Sequence, residues 1–255
     1  MKLIDTHTHL YLEQFDEDRD IVVKRAISQG VEKMLLPNID KSSIESLWSL
    51  CEKYPDNFFP MAGLHPTSVK ADYKEELAIV AKELEARTYI AVGEIGIDLY
   101  WDKTFTKEQK DALLYQFELA VKHNLPVVIH SRDSFAEIME VIDAFDNNQL
   151  RGLFHCFTGS EEEAKQIIDK GFLLGLGGVL TFKNSKLRDE IKNIDLKHIV
   201  LETDSPYLTP TPYRGKRNES AYVYYVAKTL AEVHGMSIHE IAEITSLNAQ
   251  KLFNI

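Results

Sequence analysis

The chain has 255 residues, 44 % of them apolar and 27 % charged, with two cysteines and a formal charge of −11 at neutral pH. No stretch approaches the roughly 18 unbroken apolar residues of a membrane-spanning helix, and two cysteines cannot build a disulfide framework. These features exclude a membrane-embedded protein or a stapled mini-domain and predict a reducing, cytoplasmic home, with Asp5 and His7 standing where a signal peptide needs its apolar core. The net negative charge disfavours non-specific binding to nucleic acid, although bound divalent cations would offset part of it where carboxylates cluster.

In chain order, Leu3 and Ile4 begin a short buried strand that runs into Asp5-Thr6-His7-Thr8-His9. Side chains on a strand alternate faces, so His7 and His9 project to one side, their Cα atoms ~6.5 Å apart. A helix follows near Asp16–Gln29, closed by Gly30, a common residue just past a helix end. The run Lys33–Pro37 predicts a second strand, and Ser42–Tyr54 a helix with a serine start. Phe58–Leu64 is the third strand, leading into His65-Pro66, with a helix over Asp72–Arg87. Tyr89–Ile95 is the fourth, carrying Glu94, and a long helix over Thr106–His123 comes next. Leu125–Ile129 leads into His130, then a helix over Ser131–Phe145; Arg151–Phe154 leads into His155, then a helix over Ser160–Lys170. Phe172–Leu176 is the seventh strand, followed by a helix over Lys183–Asn193, and His198–Leu201 leads into Glu202-Thr203-Asp204. Helices near Glu219–His234 and Ser237–Leu252 end the chain, and no composition break marks a linker, so residues 1–255 are expected to form one domain.

Strict alternation of eight strands with helices predicts an α/β fold, a (β/α)8 TIM-type barrel with C-terminal helices, which at ~250 residues suits this length. His9, Asn38, His65, Glu94, His130, His155, Gly177 and Asp204 each close a strand-like run, separated by 29, 27, 29, 36, 25, 22 and 27 residues. The ligand-type side chains thus gather at the carboxyl ends of the strands, the face on which barrel enzymes build their sites.

His7, His9, His130 and His155 offer imidazole nitrogens, Glu94 and Asp204 carboxylates. Six such groups exceed one tetrahedral zinc and suit two divalent ions sharing a carboxylate bridge. Glu94, on the fourth strand, lies between the two histidine pairs in barrel order and is the expected bridge. Asp204 on the last strand closes beside the first, where it could touch a metal and accept a proton from water.

The chain resembles the TatD-type metal-dependent deoxyribonucleases of the amidohydrolase-like barrels. The resemblance is carried by D-T-H-T-H-L at 5–10, G-L-H-P at 63–66, G-E-I-G-I-D at 93–98, L-P-V-V-I-H-S-R at 125–132, H-C-F-T-G-S at 155–160, L-E-T-D-S-P-Y-L at 201–208, R-G-K-R-N-E at 214–219 and L-N-A-Q-K-L-F at 247–253. Ser220 departs from it, because that family commonly has proline there. The resemblance implies a magnesium- or manganese-dependent nuclease, often a 3′→5′ exonuclease on single-stranded DNA and sometimes RNA. It implies metal roles for His7, His9, Glu94, His130, His155 and Asp204, and an active-site place for His65. Four imidazoles suit zinc, manganese or iron better than magnesium, so two exchangeable ions are expected, with zinc entering readily on purification.

Around these residues, His65 is expected to hydrogen-bond a substrate phosphate or leaving group rather than a metal. Arg132 could clamp a phosphate bidentately; its alternative is a surface arginine at a helix start. Arg214, Lys216 and Arg217 form a basic loop suited to tracking a nucleic-acid backbone or, equally, a solvated charge run. Tyr100, Trp101, Phe105, Phe182, Tyr207 and Tyr213 could stack bases or pack the rim. Glu202 is expected to support a ligand from behind, Cys156 to face the helices, and the glycines at 175, 177 and 178 to allow close backbone approach. Three functions stay open from the residues: phosphodiester hydrolysis at a nucleic-acid end, hydrolysis of a small amide, lactone or phosphoester, and a non-catalytic nucleic-acid-binding barrel. Many such barrels carry a carboxylated lysine on the fourth strand; Glu94 in that place favours the nuclease. No membrane contact and no obligate protein partner are expected.

Overall fold

A computed structural model describes residues 1–145 and 147–255. Strands β1 (Leu3–Asp5), β2 (Val31–Leu36), β3 (Phe58–Ala62), β4 (Ala91–Asp98), β5 (Val127–Arg132), β6 (Gly152–Phe154), β7 (Phe172–Leu176) and β8 (Ile199–Leu201) form one sheet in sequence order. Every neighbouring pair is parallel. The helices are α1 (Arg19–Ser28), α2 (Ile44–Lys53), α3 (Tyr73–Ala86), α4 (Thr106–Lys122), α5 (Phe135–Phe145), α6 (Glu161–Asp169), α7 (Leu187–Ile191), α8 (Val223–His234) and α9 (Ile238–Phe253). The seam between β8 and β1 is nearly closed by the Thr6 N–H donating to the Leu201 carbonyl at 3.0 Å and the Asp204 N–H to the His7 carbonyl at 2.9 Å. Thr8 and Ser205 add a parallel bridge just beyond.

The alternation of strand side chains makes two cores. Ile4, Leu35, Met61, Ala91, Val128, Leu153 and Val200 fill the lumen as one buried cluster, joined by Ala249 and Phe253 of α9. Their neighbours in sequence, such as Leu3, Leu36, Val92, Val127 and Leu201, pack outward in the larger cluster shared with the helices. Stepping two residues along a strand from a lumen residue leads to the next inward layer: from Val128 to His130, from Leu153 to His155, from Val200 to Glu202.

On β4 that step fails, and the failure matters. From Ala91 the period would turn Glu94 outward. Between Val92 and Ile95 the register against β5 slips, so that three steps on β4 match two on β5 (Val92 to Val127, Ile95 to Ile129). The extra residue is a bulge; it reverses the pleat and turns Glu94, Gly96 and Asp98 inward while Ile95 and Ile97 join the outer core. Gly96, at φ 145°, lies against β5 where a Cβ would collide with the His130 carbonyl. Several boundaries differ from the sequence expectation. β4 runs on to Asp98, so Glu94 is mid-strand, and β5 continues through Arg132, delaying α5 to Phe135. α7 is only Leu187–Ile191. The residues after Phe154 leave the strand, and Cys156 adopts φ 49°. Strand alternation therefore does not govern its direction, and its N–H donates to Glu202 Oε1 at 2.5 Å.

Candidate metal centre

Strands β4 and β5 and the segments just past β1, β6 and β8 bring six ligand-type side chains to one point. Glu94, only 2 % exposed, stands in the middle with an oxygen turned to each side. Its Oε2 is 3.1 Å from His7 Nε2 and 3.6 Å from His9 Nε2. Its Oε1 is 2.9 Å from both His130 Nδ1 and His155 Nε2. Asp204 Oδ1 completes the first side at 3.7 Å from His7 Nε2 and 3.6 Å from His9 Nε2. The imidazole nitrogens also face one another, His7 to His9 at 3.2 Å and His130 to His155 at 3.3 Å. Nitrogen lone pairs converging on a buried carboxylate with no lysine or arginine among them form a donor set suited to divalent cations. Among the described residues, three overlapping groups could hold an ion: His7, His155 and Asp204; His7, His9 and Glu94; His65, Glu94 and His130.

Electrostatics in the ion-free protein follows from this crowding. Burial alone would raise the Glu94 carboxyl, but the imidazoles of His155, His65 and His7 hold it well below the usual range. Asp204 is likewise lowered, burial being outweighed by its bond to His9 and the charges of His155 and His7. Burial pushes His7 down, and its stacking partner His155, 3.9 Å away between ring centroids, pushes it further. His155 goes the other way: burial opposes, yet Glu94 and Glu202 raise it well above the ordinary imidazole value.

Groups behind the cluster aim its rings. The Tyr11 hydroxyl donates to the Pro37 carbonyl at 2.6 Å and so accepts from His9 Nδ1 at 2.9 Å, leaving His9 Nε2 unprotonated toward the cluster. Asp98 Oδ2 lies 3.0 Å from His130 Nε2, which holds the proton there and leaves Nδ1 free to bind. Glu202 Oε1 is 3.5 Å from His155 Nδ1, in the supporting place expected for it. A Cβ at residue 175 would collide with Glu202 Oε2, so the glycine of β7 makes room for this carboxylate. Asp98 and Tyr11 were not anticipated. The two-residue period from Glu94 does reach Asp98, but the expected strand stopped short of it; Tyr11 lies beyond β1 and had no periodic signal.

His65 sits on the same face, its Nε2 3.3 Å from Glu94 Oε1. The Thr67 N–H donates to His65 Nδ1 at 3.1 Å, so the neutral ring carries its proton on Nε2. The basic residues divide. Arg217 donates to the Gln14 carbonyl at 2.5 Å and pairs with Asp18 at 2.7 Å. Arg214 donates to the Thr209 carbonyl and lies 3.7 Å above the Phe182 ring. Lys216 and Arg132 enter no ion pair among the described residues, and Arg132 stacks over Tyr100 at 3.9 Å. Tyr207, about half exposed, has its ring centroid 6.4 Å from that of His9.

The family model for TatD-related DNases matches residues 4–254. The chain belongs to the TatD-related DNase family. It is 40 % identical to the metal-dependent hydrolase YabD of Bacillus subtilis, with 99 % of each chain covered. It is 29 % identical to the 3′-5′ ssDNA/RNA exonuclease TatD of Erwinia tasmaniensis over 99 % of this chain and all of that one. The crystal structure of the TatD homologue YjjV from Escherichia coli superposes with a TM-score of 0.93 at 30 % identity, covering 99 % of this chain and 98 % of that one. The TatD family member described here is thus a metal-dependent hydrolase built on a barrel of eight parallel strands. None of its helices is long and apolar enough to cross a membrane, among the described residues.

Proposed function

We propose that this hydrolase cuts phosphodiester bonds one nucleotide at a time from the 3′ end of single-stranded DNA, with RNA as a further substrate. The observation that carries the reading is Glu94, whose Oε2 faces His7 and His9 and whose Oε1 faces His130 and His155, with His65 beside them, all at 2.9–3.6 Å. That arrangement suits two divalent ions: Glu94 would serve both, with His7, His9 and Asp204 holding one and His130 and His155 the other. When bound, magnesium or manganese, or zinc in their place, would supply charge to the phosphoryl oxygens and lower the pKa of a water. The exonuclease name of the Erwinia relative supports the substrate class.

The protein's own residues divide the remaining work. Asp204 accepts the proton released as water attacks phosphorus, at the carboxylate oxygen not turned to His7 and His9. His65, protonated on Nε2, donates to a phosphoryl or leaving oxygen. Arg132 and Lys216, unpaired with protein carboxylates, hold flanking phosphates, and Tyr207 borders the His9 side. Arg214 and Arg217 contribute by holding the loop that presents Lys216.

An end-labelled oligonucleotide digested with Mg²⁺, Mn²⁺, Zn²⁺ or EDTA tests this directly. A ladder shortening from the 3′ end with metal and none with EDTA is expected, with elemental analysis giving about two ions per chain at saturation. Intact oligonucleotide under every ion, alongside turnover of a lactone or phosphotriester, would overturn it in favour of a small-molecule hydrolase.

A further inference from the structure

Beside the His130 half of the cluster stands an aromatic wall that the hydrolytic chemistry leaves without a task. Trp101 is 70 % exposed and Tyr100 54 %; among the described residues no large apolar side chain is more exposed than Trp101. The two rings meet edge to face, 4.8 Å between centroids. The guanidinium of Arg132 lies 3.9 Å from the centre of Tyr100 and 5.2 Å from that of Trp101. Of the other aromatics of this face, Phe182 is covered by Arg214 and Tyr213 by Tyr222, stacked 4.5 Å away, while Tyr207 is half exposed on the His9 side.

The wall is mounted on the site. Asp98 Oδ1 accepts the N–H groups of Tyr100 at 3.0 Å and Trp101 at 3.4 Å, while its other oxygen holds His130. Arg132 pairs in register with Asp98 across β4 and β5 and follows His130 by one two-residue step, ~6.6 Å along the strand. At the loop's far end Asp102 pairs with Lys70 at 3.6 Å. An indole and a phenol presented to solvent on a fixed loop, with an unpaired guanidinium stacked on them, suit a flat ring attached to a phosphate.

We propose that Trp101, with Tyr100 and Arg132, stacks one unpaired nucleobase beside the phosphodiester being cut and thereby selects single-stranded ends over duplex. The inference rests on the nuclease reading. A paired base has both faces covered by its neighbours and must first be unstacked, at a cost of a few kcal/mol. An unpaired terminal base brings its face free. The aromatic surface reads no base identity, because every base has a π-face.

The chain has two tryptophans, and Trp48 is remote, its Nε1 donating to the Tyr89 hydroxyl at 2.8 Å. In Trp48→Phe, Trp101 is the sole indole emitter. Metal-loaded Trp48→Phe is titrated with a nuclease-resistant phosphorothioate oligothymidylate, an abasic oligomer of equal length and charge, and a blunt hairpin duplex. Saturable quenching by the oligothymidylate, much weaker with the other two, is expected. Equal quenching by the abasic strand would mean phosphate contact only and would overturn the proposal, as would no quenching at all. In parallel, Trp101→Ala should raise KM for oligonucleotide roughly tenfold, from the worth of one base stack, with the effect on KM rather than kcat and most of it recovered by Trp101→Phe. A fall in kcat alone would overturn the stacking role. Absent quenching with digestion intact removes this inference only, whereas quenching by a strand that is never cut leaves the base stack but removes the nuclease reading, and with it the selection of ends for cutting.

Discussion

Replacing Asp98 by asparagine isolates what a single proton position does for the metal centre. Asp98 is buried and held below the usual carboxylate range, burial being outweighed by its bond to His130. Asparagine keeps shape, and its oxygen is committed to Oδ1's task, because two backbone N–H groups already converge there. Its amide NH₂ must then face His130 Nε2, 3.0 Å away in the parent. Two donors cannot share that line, so the imidazole shifts its proton to Nδ1, the nitrogen 2.9 Å from Glu94 that we assign to the ion. A hydrogen bond to an ionised partner is worth ~1.5–3 kcal/mol, which converts to roughly ten- to a hundredfold in affinity, in the range known for residues that orient metal ligands. Manganese titration followed by calorimetry should therefore show one ion bound as in the parent and the other weakened ten- to a hundredfold, with cleavage recovered at high metal. Asp98→Asn binding both ions with parental affinity would refute the reasoning and leave His130 oriented by something else.

Asp204→Asn keeps a ligand oxygen but not the basicity, so single-turnover cleavage should fall ~10²–10⁴-fold while the ions stay bound; cleavage within a few-fold of the parent would move the proton acceptor elsewhere, His65 first. Lys216→Ala should lower the salt dependence of oligonucleotide affinity by about one phosphate contact. Arg217→Ala should instead cost stability, up to ~1 kcal/mol for a partly exposed pair with Asp18, read by denaturant titration; the opposite division would return Arg217 to the substrate path. His234, at the end of α8, has its imidazole pKa lowered by burial. The unfolded chain takes up that proton first, so the stability His234 contributes is present above pH ~6.5 and is lost as pH falls. Melting temperatures between pH 7.5 and 5.5 should drop more for the parent than for His234→Gln, and parallel curves would dismiss the effect.

The sequence by itself determined the barrel and which ligand-type side chains gather on its face. Spacings of 22–36 residues between strand ends repeat one strand–helix unit, and the two-residue step puts His7 and His9 on one face; both are written along the chain. The tertiary structure decided how those side chains are used. Glu94 reaches the lumen only because β4 carries one more residue than β5 against it, a comparison between two strands that neither contains alone. His130 presents Nδ1 because Asp98, on the neighbouring strand, occupies Nε2. The basic loop looked like three free cations until folding set Arg217 against Asp18, 199 residues away, and Arg214 against Phe182, while Arg132 kept its charge open on an exposed aromatic wall. A charge in a sequence has no partner until register and chain closure supply one, so which cations face solvent is settled by long-range packing.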